Sequence, residues 1–567
     1  MSDISKEVKI LESCQSAGNI KALFGYSKIT GPGWWIAAAS LSAGSLIGSI
    51  GLGQRLGLDG LWIQAAAMLL GIFTLFAISQ ITLNTQQSLF VILKNDWNKS
   101  LAIWLAFSAI ITGFTWCMPQ FRLGADAVVT TLLPSLDNKG GRVLIAVLLL
   151  ILSVGLSLVY ERHGPRSSIF TWTIKLLVLF IIFSAISSVI LFFPSSGISF
   201  GDILQSLVPS YNFLIEPSPL FSNLLENSGE MKMFWEEKIL LKQRELALIC
   251  FSSTLGVNIM FALPLLLLNR KWRRIHDRFS KFNLFTTCFL PFSIVSVCLT
   301  LLSAIAFHPK DLMTPEDDLL ESTEIVDLLN QRVVHEIGYE KFRDMAPFQQ
   351  DALTDALSND EKKLASIIAG KSVKQWIASL SQTGGIYFSY LLGVTIFAIS
   401  LSTIVILMII NGHLVCEVLG KPHKGPAFQS GSLLLAISSI GPFVWSDQDN
   451  WVSDPTYFIS LAILPFALLS FTLLLNNPSI MGRMRPSGTG GYFINAGIIL
   501  SFIFLGSSSF YLVWNEHWGS FPIGQVLLYI IGVLLLIGHF SLRTKKLSKR
   551  LEGLEDMFNR FSDQSGK

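Results

Sequence analysis

Few residues in this chain could do chemistry, and most of them interrupt apolar runs. The clearest group is Ser42-Ala43-Gly44-Ser45, set inside GPGWWIAAASLSAGSLIGSIGLG, which runs from Gly31 to Gly53. Glycine costs about 1 kcal/mol relative to alanine in a helix interior. In lipid, a freed carbonyl is tolerated only where it is buried in protein or lines a cavity. The stretch therefore reads as a broken membrane helix at a solute site, with Ser42 and Ser45 as contacts. A packing role stands beside this one, because Gly44 and Gly48 make a small-xxx-small pair. A second interruption lies in FSSTLGVNIMFALPLLLLNRKW, where Ser252, Ser253, Thr254, Gly256, Asn258 and Pro264 break an apolar run.

Ionisable groups inside apolar spans are costly and raise a functional hypothesis by default. Arg122 and Asp126 are four residues apart and so share a helical face; a proton route and an internal ion pair fit that spacing equally. His413 and Glu417 stand one turn apart near a span end, as path groups or as interfacial groups reaching water. Lys175 falls within another span, and Thr403 and Ser400 suit bonding between helices. The six cysteines, Cys14, Cys117, Cys250, Cys288, Cys298 and Cys416, form no CxxC pair or zinc spacing and read as small apolar fillers.

The elements that must position these residues are membrane helices. The 567 residues are 51% hydrophobic and 14% charged, with a mean hydropathy of +0.54; soluble domains carry about 25% charged residues. At roughly 20 apolar residues per crossing, about twelve transmembrane spans are expected. They lie near 33–57, 60–84, 100–133, 142–160, 169–194, 246–269, 282–307, 386–418, 428–446, 455–476, 490–514 and 523–542. The third and eighth exceed one crossing, which implies tilt or extension. No cleavable signal peptide, nucleic-acid footprint, catalytic constellation or cofactor motif is visible, and no protein partner is indicated. The expected partner is the lipid bilayer.

Lys and Arg fall in every second loop, among them Arg162, Arg166, Arg270 to Lys281, Lys421, Lys424, Arg483 and Arg485. The positive-inside rule then places both termini in the cytoplasm of a multi-pass protein, in the inner membrane if the cell is bacterial. The expected divisions are a cytoplasmic segment 1–30, a five-span repeat 31–194, an outer loop 195–245 and a second repeat 246–476. Two further spans at 477–542 and a basic tail 543–567 follow. Within 195–245, Met231 to Glu245 reads as an amphipathic surface helix. Within 308–383, acids such as Glu316, Asp317, Asp318, Glu321 and Glu324 suggest a small outer cap of two to four helices. By parity, spans one and six begin on opposite sides, so the five-span blocks run in opposite senses. Interruptions at matching places in inverted repeats point to a substrate site.

Several segments together resemble the Nramp family of divalent-metal transporters. GPGWWIAAASLSAGS looks like its first span, GVNIMFALP like its sixth, ERHGPRSSIFTWTIKLLVL like its basic hinge, and STIVILMIINGHLVCEVLG like its eighth. FISLAILPFALLSFTLLLNNPSIMG looks like its tenth. The resemblance implies an all-α polytopic protein with a leucine-transporter-like inverted repeat, five plus five spans plus two. It also implies a non-enzymatic secondary transporter working by alternating access. It sets Ser42 and Ser45 where the family has the metal-binding Asp and Asn, Met260 on its methionine, the Val257 carbonyl as a second ligand, and Tyr457 on a tenth-span glutamine. Arg122, Asp126, Asn258, His413 and Glu417 become candidates for a substrate or proton path.

Where this chain has serine, the family has a carboxylate, which offsets dehydration of a divalent ion; serine supplies only a dipole. Phe261-Ala262 replace the family's Pro-His, so proton coupling is left open. The expected cargo is a small inorganic cation, by resemblance manganese, iron or magnesium, carried as cargo and not held as a cofactor. Two alternatives remain: an uncharged or zwitterionic solute such as an amino acid, and a non-transporting sensor.

Overall fold

The computed structural model describes residues 3–16, 19–163, 168–307, 323–370, 373–440 and 453–538. The acidic stretch with Glu316, Asp317, Asp318 and Glu321, and the tail from 539, lie outside the described residues. Among the described residues the regular structure is helical, with one isolated bridge between Trp518 and Phe521.

Among the described residues, nine helices are long and apolar enough to cross a membrane, and a bent pair makes a tenth. That pair is span 1a, Gly33–Ser40, and span 1b, Ala43–Leu56, with a bend of 57° between them. Next come span 2, Ile63–Thr85, span 3, Lys99–Leu132, span 4, Lys139–Arg162, and span 5, Ile169–Phe192. Span 6 is split into 6a, Lys232–Ser253, and 6b, Val257–Asn269. Span 7 is Arg274–Ala306, span 8 Gly384–Leu419, span 10 Phe458–Asn476 and span 11 Gly488–Trp514. Two shorter apolar helices, Pro426–Ile440 and Ile523–Gly538, occupy the places of spans 9 and 12.

Packing follows the inverted-repeat logic. Span 3 runs along span 8, its counterpart in the other repeat. Span 5 packs on span 8 as span 10 packs on span 3, and span 1b packs on span 7 as span 6b packs on span 2. Each pair maps onto the other when the repeats are exchanged. Span 11 lies against spans 2 and 10, and the Asn98 amide at the start of span 3 donates to the Leu535 carbonyl of span 12 at 2.8 Å.

The approach of span 1b to span 7 depends on a missing side chain. A Cβ at Gly53 would overlap the Thr300 carbonyl oxygen. Ser303 then donates across the same seam to the Ile50 carbonyl at 2.7 Å.

Met231 to Glu245 does not lie on the surface as an amphipathic helix. From Lys232 onward it is one helix with the first half of span 6. Its apolar residues Phe234, Trp235 and Ile239 find partners in a small helical cap, so they need no membrane surface. Four cap helices, Thr323–Ile337, Tyr339–Arg343, Pro347–Asp355 and Asn359–Ala369, precede the long helix Val373–Leu419. That long helix is broken at Gly385, whose φ of 75° lies in the left-handed region open to glycine.

Candidate functional site

Both breaks open on one cleft. At the first, Ser42 is extended, with φ −128° and ψ 176°; at the second, Gly256 is extended, with φ −71° and ψ 150°. Ser40, Ser42, Ser45, Gln64, Trp116, Ser253, Thr254 and Phe292 line the cleft. Two half-helices therefore end there and two begin. Gly256 lets the second break press on span 3, since a Cβ at that position would lie 2.6 Å from the Trp116 ring.

Unwinding a helix in an apolar setting frees backbone groups that must find partners. At the first break, neutral side chains supply them. Thr403 of span 8 donates to the Ala38 carbonyl at 3.0 Å and the Leu41 carbonyl at 2.9 Å. Gln120 of span 3 accepts from the Ala43 N–H at 3.1 Å. The Ser45 hydroxyl accepts from the Ser42 N–H and donates to the Ser42 carbonyl, each at 2.9 Å. Gln64 of span 2 donates to the Ser45 carbonyl at 3.1 Å, and its own carbonyl accepts from Ser49 at 3.0 Å.

Two buried groups are left over. The Ser40 hydroxyl, on the cleft wall, has no hydrogen-bond partner. The Asn258 side chain accepts from the Ile259 N–H at 2.8 Å, and its Nδ2 is buried without a partner. A buried polar group left unpaired costs about 1–3 kcal/mol. A bound solute that pairs with such a group would recover that cost.

The sequence-derived residues divide among separate places. Ser42 and Ser45 line the cleft. Met260 is fully buried in the apolar core and is not part of the cleft wall. Val257 is the first residue of span 6b, so its carbonyl joins the helical ladder. Tyr457 falls in the helix Ser453–Asn476; its side chain lies outside the described residues.

Arg122 and Asp126 belong to a chain of ion pairs away from the cleft. Asp126 meets Arg122 at 3.3 Å and Arg142 at 3.1 Å; Asp137 meets Arg142 at 2.6 Å and Lys374 at 3.3 Å. These pairs join span 3, span 4 and the helix leading into span 8. Asp126 lies six residues, about 9 Å along the helix, from Gln120 at the break.

His413 is ten residues from Thr403, about 15 Å along span 8. Its Nε2 is 2.7 Å from the Tyr160 hydroxyl, and its Nδ1 is 3.3 Å from His423. His423 reaches Glu417 at 3.2 Å, and Glu417 also accepts a hydrogen bond from Ser88. The histidine and the glutamate are thus joined to each other through His423, but they are not joined to the cleft.

Sequence reasoning missed Gln64, Gln120, Trp116 and Phe292. Gln64 and Gln120 carried a signal, since a lone amide in an apolar span needs a partner. Among the described residues, no charged side chain lines the cleft. Among the described residues, no group of three or more His, Cys, Asp or Glu could hold a metal ion.

The end of span 1 at the basic loops is closed. Arg270, which follows span 6b, donates to the Thr30 carbonyl at 2.6 Å and sits 5.5 Å from the centre of the Trp35 ring. Lys175 donates to the Thr30 hydroxyl at 2.7 Å, and Asn283 accepts from the Gly33 N–H at 2.8 Å.

A solved transporter shares this architecture. A crystal structure of the manganese transporter of Eremococcus coleocola is similar, with a TM-score of 0.63 at 15% identity over 93% of this chain and 97% of that one. The same transporter in complex with an aromatic bis-isothiourea substituted compound gives 0.62 over the same shares, also at 15% identity. MhsT in complex with L-phenylalanine gives 0.48 at 13% identity over 85% of this chain and 98% of that one. No family model matches the chain, and no curated protein sequence matches it. The likeness to the manganese transporter shows the fold, a leucine-transporter-like inverted repeat of five plus five spans.

Proposed function

We propose that this protein is a secondary transporter which carries a small polar solute of no net charge through the cleft between spans 1 and 6 by alternating access. The observation that supports it best is that the two breaks share one cleft with neutral walls and an unpartnered buried hydroxyl, Ser40. Hydroxyls and helix ends offer hydrogen bonds and dipoles; Trp116 and Phe292 offer apolar walls. A bare Mg²⁺ or Ca²⁺ takes six or more oxygen ligands, usually including carboxylates, and no carboxylate is among the described residues of the cleft wall. The protein acts in a lipid bilayer with both termini in the cytoplasm, and it has no enzymatic role.

A second reading keeps the fold and takes a divalent metal as cargo, bound with part of its water shell. The likeness to a manganese transporter favours it.

Flux into proteoliposomes tests both readings. Uptake of radiolabelled neutral amino acids or polyols, without uptake of Mn²⁺ or Mg²⁺, is the expected result. Uptake of either metal selects the second reading, and no uptake of any of these solutes overturns both. Ser42→Asp combined with Ser45→Asn is expected to give the cleft Mn²⁺ binding. At a hundred times the dissociation constant, such binding stabilises by about 2.7 kcal/mol, which a thermal-shift titration reads directly.

A further inference from the structure

We propose that His413 and His423 form a site for one proton, and that filling it reverses a chain of hydrogen bonds running from Glu417 to Asn269, the last residue of span 6b. The chain lies at the basic end, away from the cleft, and it stands whatever the cargo is.

Its contacts are continuous. Ser88 donates to one carboxylate oxygen of Glu417, and the other lies 3.2 Å from Nε2 of His423. Nδ1 of His423 is 3.3 Å from Nδ1 of His413, and Nε2 of His413 is 2.7 Å from the Tyr160 hydroxyl. Tyr160 also shares a hydrogen bond with the Asn269 side chain. The chain thus ties the turn before span 3 to span 8, the loop after span 8, span 4 and span 6b.

Counting hydrogens leaves one arrangement for the uncharged pair. An ionised carboxylate only accepts, so His423 carries its single ring hydrogen on Nε2, facing Glu417. Its Nδ1 is then an acceptor, and His413 must supply the hydrogen between the rings from its own Nδ1. Nε2 of His413 is left bare, and Tyr160 donates to it. Every donor points toward Glu417.

One added proton turns the chain round. With hydrogens on both nitrogens, His423 donates from Nδ1, so Nδ1 of His413 has to accept. The His413 hydrogen then sits on Nε2 and points at the Tyr160 oxygen. The Tyr160 hydrogen in turn swings to Asn269, whose amide carries an acceptor as well as donors. A second proton has no place, because two Nδ1–H groups would face each other across 3.3 Å.

The surroundings decide where the charge rests. His413 is buried against the Tyr160 and Phe428 rings, whereas His423 is partly exposed and lies beside Glu417. A second carboxylate, Glu161 of span 4, accepts from the N–H of Gly425, two residues past His423, at 2.8 Å. Cys416 of span 8 lies near both carboxylates, and the exposed Lys421 and Lys424 flank His423 in its loop. At the other end of the chain, Arg270 acts on Tyr160, with Lys175 of span 5 behind it. Carboxylates at one end and cations at the other place the charge on His423, where water can deliver it. Histidine is the side chain whose charge ordinarily changes between about pH 5 and 8. The charge stays in the loop, and only hydrogen positions carry its effect inward to span 6b.

Nitrogen-15 NMR of the full chain, labelled at histidine and held in nanodiscs with EDTA, reads the two tautomers directly. His413→Gln and His423→Gln assign the ring signals. At about pH 8, His413 is expected to carry hydrogen on Nδ1 and none on Nε2; at about pH 5 the reverse is expected, with the same midpoint as double protonation of His423. In His423→Leu, His413 is expected to keep one tautomer throughout. In Glu417→Gln, the fixed direction at high pH is expected to give way to a mixture, since an amide can donate or accept. A single His413 tautomer across the wild-type titration, or two protons taken up by the pair, overturns the proposal. So does a His413 change that survives in His423→Leu. The wild-type titration decides alone should a variant fail to fold.

Discussion

The two ends of span 1 are held by the same chemistry in different ways. At the basic end, Arg270 from span 6b grips the backbone of Thr30 directly and covers Trp35, while Lys175 and Asn283 add two more bonds. At the cap end, Arg55 from span 1b grips carbonyls that belong to a separate small body carried by span 6a. In each case a guanidinium bonds to backbone oxygen, so the hold depends on position more than on a partner's charge. The basic end is a direct lock between two half-helices, with Trp35 wedged against Tyr160 and Phe170 at ring separations of 5.3 and 5.0 Å. At the cap end spans 1b and 6a also pack directly, Leu52 and Leu56 against Leu246, Ala247 and Cys250, and the cap adds a second link through Arg55. The Arg55 link can be changed from the cap, without touching the transmembrane helices.

That contrast sets the order of the expected effects. Arg270→Met is expected to be largest, because it leaves the Thr30 carbonyl without its donor and uncovers Trp35. A loss of about 2 kcal/mol from the closed basic end is expected, which corresponds to a labelling increase of about thirtyfold for a cysteine at Ser40 probed from the basic side. If Arg270→Met leaves that labelling rate unchanged, this contact does not hold the basic end closed. Gly53→Ala should come next. Its Cβ would push span 1b off the Thr300 carbonyl, and overpacking of this kind costs about 1–3 kcal/mol, read as a lower thermal midpoint. An unchanged midpoint would mean that spans 1b and 7 are less tightly seated than the contact suggests.

Breaking the pair of Glu361 with Arg332 in the cap comes third. Glu361→Gln leaves Arg332 partly buried with only Glu336, and is expected to loosen the cap while leaving the membrane core unfolding unchanged; protease digestion of 323–370 against the whole chain separates the two. The smallest effect is expected from Lys242→Met. Its partner Glu324 is about half exposed, and such surface pairs contribute about 0–1 kcal/mol. A larger loss would mean that this pair holds the cap to span 6a more strongly than its exposure suggests.

The spans were legible because each is a long apolar run between polar ends. The first break was legible because Ser42 to Ser45 is small and hydroxylated inside such a run, and the second because Ser252 to Asn258 repeats the pattern. The helix extension from Lys232 was not legible, since its charged residues read as surface when the cap that covers Phe234 and Trp235 is far away in sequence. Arg55 was hidden for a similar reason: a single basic residue at a span end usually faces water, and its partners are more than 300 residues on. The position of Met260 could be read, but its surroundings could not. Whether a methionine faces a cleft or a packed core depends on how the half-helix turns, and spacing alone does not give that.

The backbone at the first break is held by Thr403, Gln120 and Gln64, with Ser45 closing the turn. In a carrier this has a kinetic meaning. Where a bound ion holds an unwound segment together, the unloaded protein has to rearrange before it can reset. Here the segment keeps its shape from the protein's own side chains. On the transport reading proposed above, the return leg of the cycle is then expected to be open to the unloaded protein, and net movement down a gradient would need no second solute travelling the other way.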